Sequence, residues 1–274
     1  MSRHAATREL LGSYLTFTPR PVETDRLEAD MGLLNRALLD DAIKEATAVR
    51  EKKGVPADQQ RLVLHQIYTR KVKELSSLYP FIFAVENSLR SSLADHSARK
   101  FGRMDWWILI RDARAAGYDH THFPNIATVP VNGRFVQAVF RGFERMSNPA
   151  HKQSVAGPDR TDQFYYTLSL GDLWNILKED WNMTRGMFCS DHQFGLKLTS
   201  QVFDQTMRVI KDARNEIFHS NPIRNRTKVI EACERILNGL GIHLGDYDAD
   251  LGAAQAGRAT PKVARTDRHL IPAR

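Results

Sequence analysis

The chain has 274 residues, of which 42% are hydrophobic and 26% are charged, proportions typical of a folded globular protein. Its 39 lysines and arginines exceed its 32 aspartates and glutamates, and the formal net charge of +7 favours polyanionic partners without requiring them. No apolar run is long enough for a transmembrane helix, and the charged N-terminus has no signal-peptide core. The two cysteines, Cys189 and Cys233, lack zinc-site spacing and fit a protein of the reducing cytoplasm. Because there is no long apolar run, we expect no membrane partner.

Helical periods dominate the first hundred residues. One apolar stripe predicts a long helix that ends near residues 50–54, and its members are Leu27, Met31, Leu34, Leu38, Ala42 and Val49. A second helix is predicted by Leu64, Tyr68, Val72, Leu75 and Tyr79. Pro80 suits the first turn of a third helix, which Gly102 ends.

The pattern weakens after a short helix anchored by Trp106 and Trp107. Residues 117–164 are predicted to form a loop-rich insertion, with one helix over 134–146, that serves as a surface or binding element. Beyond the insertion, Ser169 is predicted to cap a helix. A long helix through Ile217 and a final helix over 227–241 follow.

These elements predict an all-α fold in three regions. They are an N-terminal helical extension (1–57), a helical domain (58–245) that includes the insertion, and a polar, mobile tail (246–274). No spacing of histidine, cysteine and carboxylate completes a metal site, although His120 and His122 stand in a loop. We therefore expect no metal and no cofactor.

The stretch "KDARNEIFHSNPIRNR", residues 211–226, joins a helical pattern to a proline. Its Arg214 and His219 would lie about 140° apart around an ideal helix. A helix distorted near Asn221 and Pro222, or a second copy of the chain, could bring such a pair to one phosphate. Histidine exchanges protons near neutral pH and arginine stabilises negative charge, a combination suited to phosphodiester cleavage. The alternative is an ordinary helix end with charged residues.

Three stretches in order resemble the HEPN superfamily, in particular its Abi-like (abortive infection) group. "RNEIFHS" is similar to the superfamily's R-x4–6-H motif, including the polar residue after the arginine. "FAVENSLRSSLADHSARKFGRMDWW" resembles a helix with an E-x-x-L-R core before a glycine and a tryptophan pair. "LSLGDLWNILKEDWNMTRGMF" resembles a third segment, with Leu170 in place of the usual aromatic residue.

The resemblance covers roughly residues 62–240. It implies an up-and-down helical bundle of HEPN type that forms a homodimer, with two Arg-His motifs meeting in a cleft. It implies a metal-independent endoribonuclease that uses the ribose 2′-OH and leaves a 2′,3′-cyclic phosphate. Many such enzymes are toxins or antiviral defence effectors, and a toxin needs an antitoxin or another regulatory partner. Carried over, Arg214 and His219 would be catalytic and Asn215 would orient the site.

Glu86 and Arg90 are spaced as a favourable helix pair. In the resembling proteins an acidic or polar group of this helix approaches the Arg-His motif, so Glu86 is the candidate to brace Arg214; the alternative is a structural salt bridge. Five basic residues are candidates to hold the RNA backbone: Arg90, Lys211, Arg224, Arg226 and Lys228. For those beside the Arg-His motif, the alternative is an ordinary solvated surface.

Two other classes of function remain open. A HEPN-type module could bind RNA or nucleotides, or another protein, without cleaving. A helical adaptor unrelated to RNA is also compatible with the composition. An adaptor should tolerate the loss of His219, whereas an enzyme should not.

Overall fold

The computed structural model of the chain describes residues 5–119, 125–156, 161–188, 198–219, 221–223 and 225–242. Helices dominate these residues, which contain a single two-stranded antiparallel ribbon, so the predicted all-α class is confirmed. They divide into two compact units. The first unit contains residues 5–77 and 216–223, and the second contains residues 78–215 and 225–242. The predicted tail, 246–274, lies outside the described residues.

The first unit has four α-helices and one 3₁₀ turn: α1 (Ala5–Tyr14), α2 (Pro21–Leu33), α3 (Arg36–Lys53), the turn (Ala57–Gln59) and α4 (Gln60–Ser76). Helix α3 packs against both α1 and α4. The core between them includes the fully buried side chains of Tyr14, Ile43 and Ile67. This unit extends one helix, α4, beyond the boundary predicted at residue 57.

The prediction of one continuous helix across α2 and α3 is wrong. Asn35 stands between them in an extended conformation, and its side-chain oxygen accepts a hydrogen bond from the Leu38 N–H at 3.1 Å. An asparagine in this position caps a new helix because it satisfies an otherwise unpaired N–H group. The predicted end of α3 is correct, since Gly54 adopts the left-handed conformation with φ +67°.

The second unit has nine α-helices, although α12 belongs to it only through Asn215. They are α5 (Tyr79–Phe101), α6 (Trp106–Ala115), α7 (Gly133–Arg145), α8 (Pro149–Ser154), α9 (Thr161–Tyr166), α10 (Leu170–Glu179), α11 (Trp181–Thr184), α12 (Ser200–Phe218) and α13 (Arg226–Gly239). The ribbon joins β1 (Asn125–Ile126) to β2 (Val129–Pro130), and a 3₁₀ turn spans Arg185–Met187.

Helix α5 is central to the second unit, where it packs against α9 and α13. Its neighbour α6 contributes Trp106 and Trp107, both fully buried, to an aromatic cluster with Phe135 and Phe164. The loop predicted over residues 146–163 is wrong at two places. Residues 149–154 form α8, and residues 161–163 begin α9, whose Phe164 belongs to the core. Six-residue helices are too short to show a helical period.

Candidate active site

Arg214 lies near the end of α12, where the carboxylate of Glu86 on α5 approaches it. The distance from Arg214 Nε to Glu86 Oε2 is 3.7 Å, within the range of an ion pair. The two side chains are 29% and 14% exposed, so solvent screens their attraction less than it would at the surface. The structure thus brings together the two residues for which the sequence predicted a bracing contact.

The same carboxylate also holds Arg90, one turn further along α5. Glu86 Oε1 accepts a hydrogen bond from Arg90 Nη2 at 2.5 Å. Arg90 donates two more hydrogen bonds, to the carbonyl oxygens of Tyr165 at 3.2 Å and Leu168 at 2.7 Å. Arg90 therefore ties α5 to the end of α9 and the turn after it. Its predicted contact with RNA stays a prediction.

Ser169 fixes the start of α10 through reciprocal hydrogen bonds with Asp172. The Asp172 N–H donates to Ser169 Oγ at 3.2 Å, and the Ser169 N–H donates to Asp172 Oδ2 at 3.3 Å. This capping box satisfies backbone donors that the first helical turn leaves unpaired. Asp172 Oδ1 accepts a further hydrogen bond from Arg145 Nη1 at 2.6 Å, which anchors the end of α7 at the same point.

Helices α7, α10 and α12 surround a cavity of about 240 Å³. Three of the side chains in its wall are cations and none is an acid: Arg145, Ser169, Leu170, Gly171, Trp174, Asn175, Lys211, Arg214 and Asn215. A concave surface with this charge attracts anions because fixed positive charges concentrate the local potential. The cavity thus unites Lys211, Arg214 and Asn215, three residues predicted from the sequence to act on RNA.

Lys211 has no acidic partner among the described residues. Its ammonium lies 5.4 Å from the centroid of the Trp174 ring, a cation–π contact. The indole N–H of Trp174 donates to Asp204 at 3.1 Å, which fixes the ring. Lys211 is thereby held at the cavity with its charge uncompensated. Trp174 is 9% exposed.

His219 follows the last residue of α12, and its side chain is exposed. The Asn221 N–H donates to the Glu216 carbonyl at 2.8 Å, a hydrogen bond that often closes helix C-termini. Helix α12 continues through Phe218, so Arg214 lies within the helix and His219 lies just beyond its end. The distortion considered near Asn221 therefore begins only after the helix has ended.

The other basic candidates lie apart from the cavity wall. Arg226 is half-buried and Lys228 is exposed in the first turn of α13, which Asn225 caps. Arg224 lies outside the described residues. The RNA contacts predicted for these three residues stay predictions.

Sequence reasoning missed Arg145 and Asn175 as neighbours of Arg214. Arg145 belongs to the segment predicted as a surface insertion, and no spacing along the chain relates it to α12. Asn175 stands on α10 between the buried residues Trp174 and Ile176. A polar residue that interrupts a run of apolar ones was the one feature of the sequence that could have pointed to it.

Within the described parts of the chain, no group of three histidine, cysteine or carboxylate side chains could hold a metal ion. The loop histidines His120 and His122, considered as ligands, lie outside those parts. Cys233 is buried on α13, and burial raises the pKa of its thiol to about 12. A thiol in that state is a poor nucleophile.

Comparison of the chain with protein-family models, with curated proteins and with solved structures finds no match. Across the ranges that the structure describes, every helix is too short or too polar to cross a membrane. The resemblance to the HEPN superfamily therefore rests on the three quoted stretches.

Proposed function

We propose that the protein is a HEPN-type endoribonuclease that cleaves RNA without a metal ion. The observation that supports this most directly is the position of Arg214. It lines a cavity with Lys211 and Asn215 in which every charged wall residue is a cation, and its own helix ends at Phe218, one residue before His219. A polyanionic chain held there would place a phosphate beside an arginine.

The reaction forms a bond between the ribose 2′-oxygen and phosphorus and breaks the bond from phosphorus to the 5′-oxygen. The 2′-hydroxyl loses a proton and the leaving 5′-oxygen gains one, so the products are a 2′,3′-cyclic phosphate and a 5′-hydroxyl. His219 is proposed to move one of these protons. Arg214 is proposed to stabilise the negative charge that builds up on the phosphate oxygens.

Glu86 and Asn215 have supporting roles in this proposal. Glu86 holds the Arg214 guanidinium from α5, and Asn215 supplies an amide in the cavity wall that can orient a phosphate or ribose oxygen. Lys211, Arg226 and Lys228 would contact the RNA backbone, which gives affinity without reading the sequence. Arg90 would keep Glu86 in place.

A homodimer would complete the site. Helix α12 ends at Phe218, and carrying its regular rotation on to His219 would place the side chains of Arg214 and His219 about 140° apart. One copy would then present the pair poorly to a single phosphate. Two copies facing each other would allow the arginine of one to act with the histidine of the other. The biological role that the resemblance suggests is a toxin or phage-defence effector, restrained by an antitoxin or another regulatory partner.

The second candidate is a module that binds RNA or nucleotides without cleaving them. One observation favours it: Glu86 engages Arg214, so the cavity could hold a phosphate while the guanidinium remains a structural partner. The two proposals differ in one result, the appearance of new RNA ends.

The test uses the purified full-length chain with end-labelled RNA and excess chelator. The nuclease proposal expects cleavage products with 2′,3′-cyclic phosphate ends, together with loss of cleavage in Arg214→Ala and His219→Ala. Two variants serve as matched controls: Arg208→Ala, an exposed arginine on α12, and His151→Ala, an exposed histidine on α8. Both should keep wild-type activity.

Growth after induced expression, with gel analysis of total RNA, extends the test to the cell. Arrest with new RNA fragments from the wild type alone would support the toxin role. Intact RNA in both assays, with folded protein that still binds RNA, would leave the binding module as the better description.

A further inference from the structure

We propose that the cavity at the start of α10 is a phosphate subsite, which holds a phosphate of the RNA next to the one that is cleaved. This inference rests on the proposed function, because it takes the bond at Arg214 and His219 as the cleaved one. It adds Arg145 and the first turn of α10 to the site, and it gives Lys211 a defined ligand.

The size of the cavity suits a phosphate better than a nucleotide. Its volume of about 240 Å³ lies below the range of roughly 300–1,000 Å³ that is usual for pockets holding drug-sized ligands. A phosphate with part of its ribose would fit, and the base would remain outside. The subsite would therefore bind RNA of any sequence.

Lys211 is the one cation of the cavity wall that has no acidic partner among the described residues. Arg145 is paired with Asp172, and Arg214 with Glu86. Lys211 lines the cavity, and its ammonium lies over the ring of Trp174. An anion would meet its full charge. Lys211 is accordingly the residue on which binding should depend most.

The start of α10 adds neutral donors to the same space. Leu170 and Gly171, the first two residues of the helix, line the cavity. Backbone N–H groups in a first helical turn have no partner within the helix, and the helix dipole favours an anion beside them. Lys211 lies over this turn: a Cβ added to Gly171 would be 3.7 Å from Lys211 Cε. The lysine and the turn could therefore bind the same phosphate.

A phosphate could reach this cavity as part of RNA or as a free phosphate compound. The RNA source is favoured because Arg214 and Asn215 line the same wall. A subsite there would fix the distance between the phosphate it holds and the bond to be cleaved. The enzyme would then need at least one phosphate flanking that bond.

The experiment measures RNA binding by the full-length His219→Ala variant, which separates binding from cleavage. The probe is a fluorescein-labelled eight-nucleotide single-stranded RNA, titrated at several salt concentrations. Adding Lys211→Ala should weaken binding about five-fold at 0.1 M salt and lower the slope of log affinity against log salt by about 0.7, the value for one phosphate contact on a single strand. Lys100→Ala, an exposed lysine on α5, should change neither quantity.

Arg145→Ala is the second variant, with Arg141→Ala on the same helix as its matched control. Arg141 is exposed and stands one turn before Arg145, outside the cavity wall. Arg145→Ala should also weaken binding and lower the salt slope, whereas Arg141→Ala should not. Circular dichroism of each variant establishes that the helices remain folded.

Inorganic pyrophosphate, tested by thermal shift at constant ionic strength, distinguishes the source of the phosphate. Stabilisation that Lys211→Ala abolishes, with RNA affinity unchanged, would assign the cavity to a free phosphate compound and overturn the proposal. Unchanged RNA affinity and salt slope without any pyrophosphate effect would overturn it as well.

The outcomes separate this inference from the proposed nuclease. Lys211-dependent binding by a protein that never cleaves RNA would support the phosphate subsite and reject the nuclease. If the wild type cleaves RNA but Lys211→Ala and Arg145→Ala leave RNA binding unchanged, the subsite alone would be rejected.

Discussion

Glu86 joins α5 to α12 through Arg214, with 3.7 Å between Glu86 Oε2 and Arg214 Nε. The same carboxylate accepts a hydrogen bond from Arg90, so one acid that is 14% exposed serves two arginines. The three side chains together keep one net positive charge. The acid is thereby a structural partner of both arginines, and it sets the position of the one proposed to be catalytic.

Replacing Glu86 with alanine should lower the free energy of unfolding by about 3 kcal/mol, because it leaves two partly buried arginines without their shared carboxylate. The matched control is Asp95→Ala on the same helix. Asp95 pairs with Arg99 at 2.7 Å, but the side chains are 65% and 72% exposed, so this change should cost less than about 0.5 kcal/mol. Urea unfolding followed by circular dichroism measures both, and equal costs would contradict the structural role of Glu86.

The proposed positioning role of Glu86 has a separate readout. Glu86→Gln keeps an oxygen acceptor for Arg90 but removes the charge that faces Arg214. We expect it to fold and to bind RNA like the wild type while cleaving at least about ten-fold more slowly, because a loosely held arginine stabilises the transition state less well. Single-turnover cleavage with saturating protein measures the effect. A wild-type rate would remove Glu86 from the mechanism.

Ser169→Ala should lower the free energy of unfolding by about 1 kcal/mol, since it removes the hydroxyl that caps α10. Ser91→Ala is the control: this exposed serine lies within α5, where alanine is the better helix former. Denaturant unfolding of the two variants should therefore shift in opposite directions. A shift in the same direction and of similar size would contradict the capping role.

The features that depend on neighbours along the chain were predicted correctly. Gly54 and Gly102 end their helices in the left-handed conformation, and Ser169 caps α10, because helix termini follow local backbone rules. The break at Asn35 was missed because Leu34 and Leu38, on either side of it, keep helical spacing. A period alone cannot distinguish one helix from two in register.

The candidate site likewise contains contacts that follow from spacing along the chain and contacts that only the packing of helices creates. The contact between Glu86 and Arg90 follows from their separation of four residues on one helix. Bringing Arg145 to the cavity requires the packing of α7 on α10, two helices that lie far apart along the chain. No rule of spacing relates such residues, so they were found only in the folded chain.

Two helical glycines should respond oppositely to alanine. A Cβ on Gly142 in α7 would lie 2.9 Å from Leu168 Cδ2, and Leu168 is buried, so the added methyl group would overpack the core. We expect Gly142→Ala to destabilise the protein by about 1 kcal/mol or more. Nothing lies within 4 Å of a Cβ on Gly12 in α1. Gly12→Ala should stabilise by about 0.5–1 kcal/mol because alanine favours helix.

Thermal and urea unfolding of the two glycine variants provide the measurement, and each variant serves as the other's control. A stabilising Gly142→Ala would mean that Leu168 moves aside without cost. That result would contradict the tight packing of α7 against the turn after α9.

Glu45 should make the stability of the first unit depend on acid pH. On α3 it lies 2.5 Å from Arg70 Nη2 and 3.0 Å from Lys71 Nζ. Burial opposes its ionisation, but the hydrogen bonds from these two cations outweigh burial and lower the pKa of the Glu45 carboxyl below its usual value. The ionised carboxylate is therefore bound more strongly in the folded chain than in the unfolded one.

Because the folded pKa is depressed, this stabilisation is complete above the ordinary glutamate pKa of about 4.3 and is lost as the pH falls through the folded value. Glu45→Gln should be less stable than the wild type at pH 7, and the difference should shrink as the pH falls below 4. Urea unfolding between pH 7 and pH 3 measures it, with Glu9→Gln, an exposed acid on α1, as the control. A difference between Glu45→Gln and wild type that stays constant across this range would show that the contacts of Glu45 stabilise the fold through shape rather than charge.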